Sequence, residues 1–167
     1  MKRREAVRSR LDLKLLAGDA VALVQPDAER REVRLTLETD PTLPPVHGDR
    51  VQLQQVLINL LLNAMDAVND NPPERRLVTL RARPAGATAE LGVSDSGHGI
   101  PADQLLRVFE PFFSSKPDGL GLGLAISRDI IKGHGGNLWA ENNAAGGATF
   151  RFTLPGAEGD EASCRAR

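Results

Sequence analysis

Residues 95–119 form an irregular stretch dense in Gly, Pro, Ser and Phe, set between a strand-like and a helix-like segment. Loops this long are uncommon inside compact domains and usually serve function, often as lids. The flanking segments must therefore supply a self-sufficient scaffold. Asp12 is placed to cap a helix carrying Leu13, Leu16, Ala20, Leu23 and Val24 at helical spacing, with Pro26 expected to kink or stop it. Val33, Leu35 and Leu37 alternate with polar residues as in a strand with one wet face, and a Pro-rich loop follows at 41–45. A helical pattern runs uninterrupted over 49–69. Strands are expected at 77–83 and 89–94 around the turn 84–86, a helix at 120–132 capped by Gly133, and strands at 137–141 and 148–154. Strands and helices mix without strict βαβ alternation, which predicts an α+β fold whose mixed sheet is covered on one face.

Composition narrows the function classes. With 167 residues and 41% hydrophobic content, the chain suits one domain with extensions. Lys plus Arg (21) nearly balances Asp plus Glu (22), so no global field favours nucleic acid or an anionic membrane. The basic start, with Lys2, Arg3, Arg4, Arg8 and Arg10, reads as a solvated arm or linker. No stretch approaches the roughly 20 apolar residues of a transmembrane helix, and no secretory signal pattern is present. The single cysteine, Cys164, excludes an internal disulfide and a cysteine-rich zinc site. A cytoplasmic domain is expected, and a polar tail over 156–167 reads as disordered.

Four segments carry candidate chemistry. On the 49–69 helix, Gln52, Gln55, Asn59, Asn63, Asp66 and Asp70 share one face. Asparagine is a poor choice for an ordinary helix surface, and its amide oxygen suits a hard cation such as Mg²⁺. Asp95-Ser96-Gly97-His98-Gly99 sits at a strand end, where a carboxylate can accept from an exocyclic amine while glycines admit a flat ligand. Gly119, Gly121 and Gly123 precede a helix start, whose free N–H groups suit phosphate. Among five phenylalanines, Phe109, Phe112 and Phe113 crowd into the irregular stretch, either plugging the core edge or forming a docking patch. Each segment alone also reads as ordinary surface helix, turn, hinge or core.

In this order the segments resemble the signature boxes of bacterial sensor histidine kinases, within the gyrase, chaperone, histidine kinase and mismatch-repair ATPase superfamily. Asn59-Leu-Leu-Leu-Asn63-Ala-Met-Asp-Ala67 resembles the asparagine box and Asp95–Gly99 the first glycine box. Phe109–Phe113 resembles the phenylalanine box, and Gly119–Leu124 the second glycine box. Gly146-Gly147-Ala148-Thr149-Phe150 resembles the entry to the last conserved strand. The short Ser-Ser-Lys-Pro-Asp-Gly lid is similar to that of the oxygen- and nitrogen-sensing branch.

The resemblance implies a two-layer α/β sandwich of the Bergerat type, mostly antiparallel, with a flexible ATP lid. It implies that Asn63 coordinates Mg²⁺ with Asn59 in support, and that Asp95 reads adenine with help from Thr149 through water. Gly97 and Gly99 would let the lid fold, while Gly119, Gly121 and Gly123 would offer amides to phosphate and Lys116 would reach the γ-phosphate. Asp66 stands where some relatives carry a basic phosphate contact. Superfamily hydrolases carry a water-activating glutamate at the position of Asn59, so phosphoryl transfer is favoured over hydrolysis. A serine kinase of the anti-sigma type is disfavoured by the phenylalanine box. The phosphoacceptor histidine would lie on a separate dimerisation hairpin, since none of His47, His98 and His134 sits on a suitable helix, and Phe109, Phe112 and Phe113 would dock to it. Residues 1–10 would be the connection from that hairpin, 11–155 the ATP-binding catalytic domain and 156–167 the tail. A downstream response regulator would be reached through the full-length kinase; no nucleic acid or membrane contact is implied, and the isolated domain would be monomeric. The competing expectation is an inactive nucleotide-binding module that regulates a partner.

Overall fold

The computed structural model describes residues 7–113 and 123–157. Its main sheet has five strands in the order β2 (Arg34–Thr39), β4 (Leu77–Ala85), β5 (Thr88–Asp95), β7 (Ala148–Pro155), β6 (Asn137–Asn142). Only the β2–β4 pair is parallel; the others run antiparallel, as expected for a mixed, mostly antiparallel sheet. Alternation places Val78, Leu80, Ala82, Leu91, Val93, Phe150, Phe152 and Leu154 in the core. Opposite them pack α1 (Leu13–Arg30) and α2 (Arg50–Ala67), with α3 (Gly123–Gly133) beside α2. The α2 contribution is almost wholly aliphatic: Leu53, Val56, Leu57, Leu60, Leu61, Ala64 and Met65 are buried. At about 1.5–3 kcal/mol per fully buried large apolar side chain, this row is the main anchor of the helix layer.

Helix starts follow the sequence closely. Asp12 Oδ1 accepts from the backbone N–H groups of Lys14 (2.9 Å) and Leu15 (3.3 Å). Asp49 Oδ1 caps α2 in the same way, accepting from Val51 (3.0 Å) and Gln52 (3.1 Å). Pro26 does not stop α1, which continues through it to Arg30. The proline removes one N–H donor, yet Val24 and Ala28 on either side are buried in the core and hold the last turn in place. The turn between β4 and β5 is also tighter than expected: Pro84 and Ala85 belong to the strand, and Gly86, at φ +63°, makes the turn with Ala87.

One element has no counterpart in the sequence reading. β1 (Arg8–Leu11) pairs antiparallel with β3 (Val46–Asp49), so part of the basic arm is a strand with exposed arginines. Gly156 bridges to Val46, and Ala157 N–H donates to the Pro45 carbonyl at 2.8 Å, which ties the end of β7 to the same ribbon. His134, at the end of α3, is buried there: Nε2 accepts from the Asp49 backbone N–H at 3.0 Å and Nδ1 lies 2.8 Å from the Ile130 carbonyl. No helix among the described residues is long and apolar enough to cross a membrane.

Candidate functional site

The polar stripe of α2 is wet at its ends and sheltered in its middle. Gln55 and Asp70 are exposed, whereas Asn59, Asn63 and Asp66 are half-buried. Asn59 Nδ2 donates to Ser127 Oγ of α3 at 3.3 Å, so this asparagine faces the groove between the two helices. A Cβ built on Gly123 would stand 4.0 Å from the Asn59 amide, which brings the last glycine of the second glycine segment to the same groove. Lys116, Gly119 and Gly121 lie outside the described residues.

Asp95 ends β5 and is buried. Its Oδ1 accepts from the backbone N–H groups of Gly97 (2.9 Å) and Ala148 (3.3 Å), and both of these bonds reach the same oxygen. Burial pushes its carboxyl above the usual carboxylate range, opposed by those two amides and by nearby His98. With both amide bonds on Oδ1 and neither on Oδ2, this buried carboxyl is poised to accept a hydrogen bond from a ligand.

Backbone packing explains the glycines around it. A Cβ on Gly97 would lie 2.4 Å from the Ala67 carbonyl at the end of α2, and one on Gly147 only 1.9 Å from the Asp95 carbonyl. Gly99 and Gly147 also hold positive φ, +78° and +85°. The loop after β5 is thus pressed against α2, which fixes the aspartate relative to the asparagine stripe. Gly97→Ala is expected to destabilise the fold by roughly 1–3 kcal/mol, the usual cost of overpacking, measured by urea denaturation.

Thr149 is buried on β7, opposite Ser94. Its Oγ1 lies 3.1 Å from Ser94 Oγ and 2.5 Å from Asn143 Oδ1, while Asn143 Nδ2 donates to the Asp95 carbonyl at 3.2 Å. Asn142 clamps Ile100, its amide oxygen accepting from the Ile100 N–H (2.8 Å) and its Nδ2 donating to the Ile100 carbonyl (2.7 Å). A depression of about 320 Å³ lies here, lined by His98, Gly99, Ile100, Asn142, Asn143 and Gly147. Sequence reasoning missed Asn142, Asn143 and Ser127: the first two read as turn residues, and only the folded register sets them against β5 and the Ile100 loop.

The phenylalanines divide. Phe109 is buried, edge-on to Phe150 with centroids 6.0 Å apart and planes at 76°, and the Arg128 guanidinium lies 5.6 Å from its ring. Phe113 is half-buried, with the Arg107 guanidinium 5.0 Å from its ring. Phe112 is 75% exposed at φ +66°, and nearby Leu106 is 85% exposed. Core plug and surface patch, alternatives on the sequence, are therefore both present in one segment.

A helix offering amides, a buried aspartate at a strand end and glycines pressed between them have the chemistry to suit a flat amine-bearing ligand with a polar extension. Residues 48–158 match the histidine kinase-, DNA gyrase B- and HSP90-like ATPases, and the chain belongs to this family. The chain is 46% identical over 146 residues to the sensor protein FixL of Bradyrhizobium diazoefficiens, an alignment covering 87% of this chain and 29% of FixL. The alignment thus spans less than a third of that relative's length. Among solved structures, the nucleotide-free catalytic domain of the histidine kinase ThkA matches with a TM-score of 0.80 at 32% identity, over 90% of this chain and 96% of that one. Full-length ShkA in complex with AMPPNP matches with a TM-score of 0.79 at 28% identity, over 92% of this chain and 32% of that one. The fold is that of histidine kinase catalytic domains, as the box order implied.

Proposed function

We propose that the chain binds Mg-ATP and donates the γ-phosphoryl group to a histidine on a separate dimerisation hairpin, as the catalytic domain of a two-component sensor kinase. The observation that carries this reading is Asp95: a buried carboxylate, aligned by two backbone amides on one oxygen, beside an amide-bearing helix face. Asp95 Oδ2 would accept from the adenine amino group, while Thr149 and Asn143 hold the strand ends around it. Asn63, supported by Asn59, would offer an amide oxygen to the metal. The donor set fits Mg²⁺: Asn59 and Asn63, half-buried on one face of α2, carry neutral amide oxygens, and Mg²⁺ characteristically takes few protein ligands beside water and phosphates. When bound, the ion would neutralise charge on the phosphate oxygens during transfer. Gly123 would lie along the phosphates, joined by Gly119, Gly121 and Lys116 in the roles the family resemblance implies.

The neutral Asn59, hydrogen-bonded to Ser127, cannot act as a general base toward water, which supports transfer over hydrolysis. In the reaction the bond from the γ-phosphorus to the bridging oxygen breaks, a bond to the imidazole nitrogen forms, and ADP leaves. Residues 1–10 would connect to the hairpin, 11–155 would be the catalytic domain and 156–167 the tail, in a cytoplasmic setting. A response regulator would act downstream of the phosphorylated histidine.

Titration calorimetry with a non-hydrolysable ATP analogue, with and without Mg²⁺, tests the binding half. Magnesium-dependent affinity in the micromolar-to-millimolar range of enzyme substrates supports it, and absence of binding refutes it. Transfer to a supplied hairpin then separates a kinase from an inactive nucleotide-holding module. Phe112 and Leu106 form the apolar surface we assign to hairpin contact. Phe112→Ala is expected to leave nucleotide affinity unchanged and slow transfer roughly tenfold or more, the scale of losing an aromatic anchor. Matching transfer rates for variant and wild type would remove the assignment.

A further inference from the structure

Beyond Asn63 the polar face of α2 ends in an ion-pair cluster that none of the proposed contacts uses. Asp66 lies one turn further along the same face and accepts from Arg31 Nη1 at 2.6 Å. Arg31 follows the last turn of α1, and its Nε lies 3.0 Å from Asp27 Oδ2. Asp27 also pairs with Arg30. A guanidinium is a rigid planar fork of five N–H donors. Two arms of this fork are held by carboxylates from two helices, and Nη2 makes no hydrogen bond among the described residues. The side chain is 29% exposed, so it is held on two sides and still reachable from solvent.

Its position along α2 gives the cluster meaning. A helix advances 1.5 Å per residue, so Asp66 stands about 4.5 Å beyond Asn63 along the axis. The next residue is Ala67, whose carbonyl abuts Gly97 beside Asp95. Asp66, which holds the guanidinium, therefore stands along α2 between the residue assigned to the metal and the turn that abuts the Asp95 loop. A nucleotide spanning those two groups must pass its ribose and inner phosphates through this interval.

We propose that Arg31 is a cation of the nucleotide site: Nη2 contacts the phosphates nearest the ribose, while Asp66 and Asp27 aim the fork and temper its charge. This rests on the nucleotide reading above and adds a residue to it. It also accounts for an acid at Asp66, since the positive charge reaches the interval from α1 and Asp66 is the group that holds it there.

The test is calorimetric affinity for adenosine and for Mg-ADP in the wild type, Arg31→Gln and Asp66→Asn, with unliganded melting curves for each. Arg31→Gln is expected to weaken ADP roughly ten- to a hundredfold, as loss of a charge-assisted hydrogen bond does, and to leave adenosine unchanged. Asp66→Asn is expected to tighten ADP roughly two- to fivefold, the scale of removing one partly exposed opposing charge, again without effect on adenosine. A tie that only joins α1 to α2 predicts instead that both variants lower the melting temperature and weaken both ligands together. That pattern, or unchanged ADP affinity in Arg31→Gln, overturns the proposal while leaving the nucleotide site standing. If the wild type binds neither ligand, the nucleotide reading falls and this inference with it. Should Arg31→Gln fail to fold, Asp66→Asn decides alone: selective tightening of ADP supports the role, and no change or weakening refutes it.

Discussion

Asn63→Ala is expected to abolish the magnesium dependence of nucleotide binding and to lower phosphoryl transfer on the order of a thousandfold. Several kcal/mol of transition-state charge stabilisation is what a bound metal supplies, and each 1.36 kcal/mol is a factor of ten in rate. Asn63 is half-buried beside the core-facing row of α2. Melting curves on the same samples separate loss of the metal from any change in the scaffold around it. The affinity of the ATP analogue should become the same with and without Mg²⁺ and approach the wild-type value measured without the ion. Retained magnesium dependence together with undiminished transfer would show that the metal is held elsewhere, and Asn59 would be the next residue to substitute.

Some of the molecule could be read from its residues because local physics and tertiary structure agree there. α2 has a continuous aliphatic row, an aspartate cap and a proline pair after its end, and asparagines that suit an ordinary helix surface poorly. The strands β4, β5, β6 and β7 alternate over enough residues to be visible. The ribbon of β1 and β3 was not visible. Arg8-Ser9-Arg10 and Val46-His47-Gly48 are too short for a period to show, and their pairing joins segments far apart in sequence. Pro26 misled for a related reason, since burial of Ala28 outweighs the loss of one helical hydrogen bond. In the site, Asp95, Gly97 and Gly99 stand out by residue type at a strand end, and Thr149 through the family resemblance. Asn143 and Arg31 do not, because their roles come from partners brought together by the sheet register and by the packing of α1 on α2.

Asp95→Asn is expected to separate stability from function, with nucleotide affinity falling about a hundredfold or more while the fold is kept or strengthened. The carboxyl is pushed above the ordinary aspartate range, chiefly because burial disfavours its charged form. A raised acid binds its proton more tightly in the folded state than in the unfolded one. Between the unfolded and folded pKa values the native chain therefore carries more protons, and stability falls as pH rises through the folded value. Above that folded value the full cost of the buried charge is present; it is relieved as pH drops toward the ordinary aspartate value. Asparagine removes that charge while its Oδ1 can still accept from Gly97 and Ala148, so the melting temperature at neutral pH should hold or rise and lose this part of its pH dependence. Binding moves the other way. The adenine amino group needs an acceptor at Oδ2, and an amide nitrogen there presents a donor to a donor, leaving buried polar groups unmatched. In the wild type the same logic makes affinity decline as pH falls through the folded pKa, where the carboxyl gains its own proton. Calorimetry across this range, with melting curves on the same samples, measures both slopes. Opposite signs are expected, and an Asp95→Asn variant that binds as tightly as wild type would remove this carboxylate from the site.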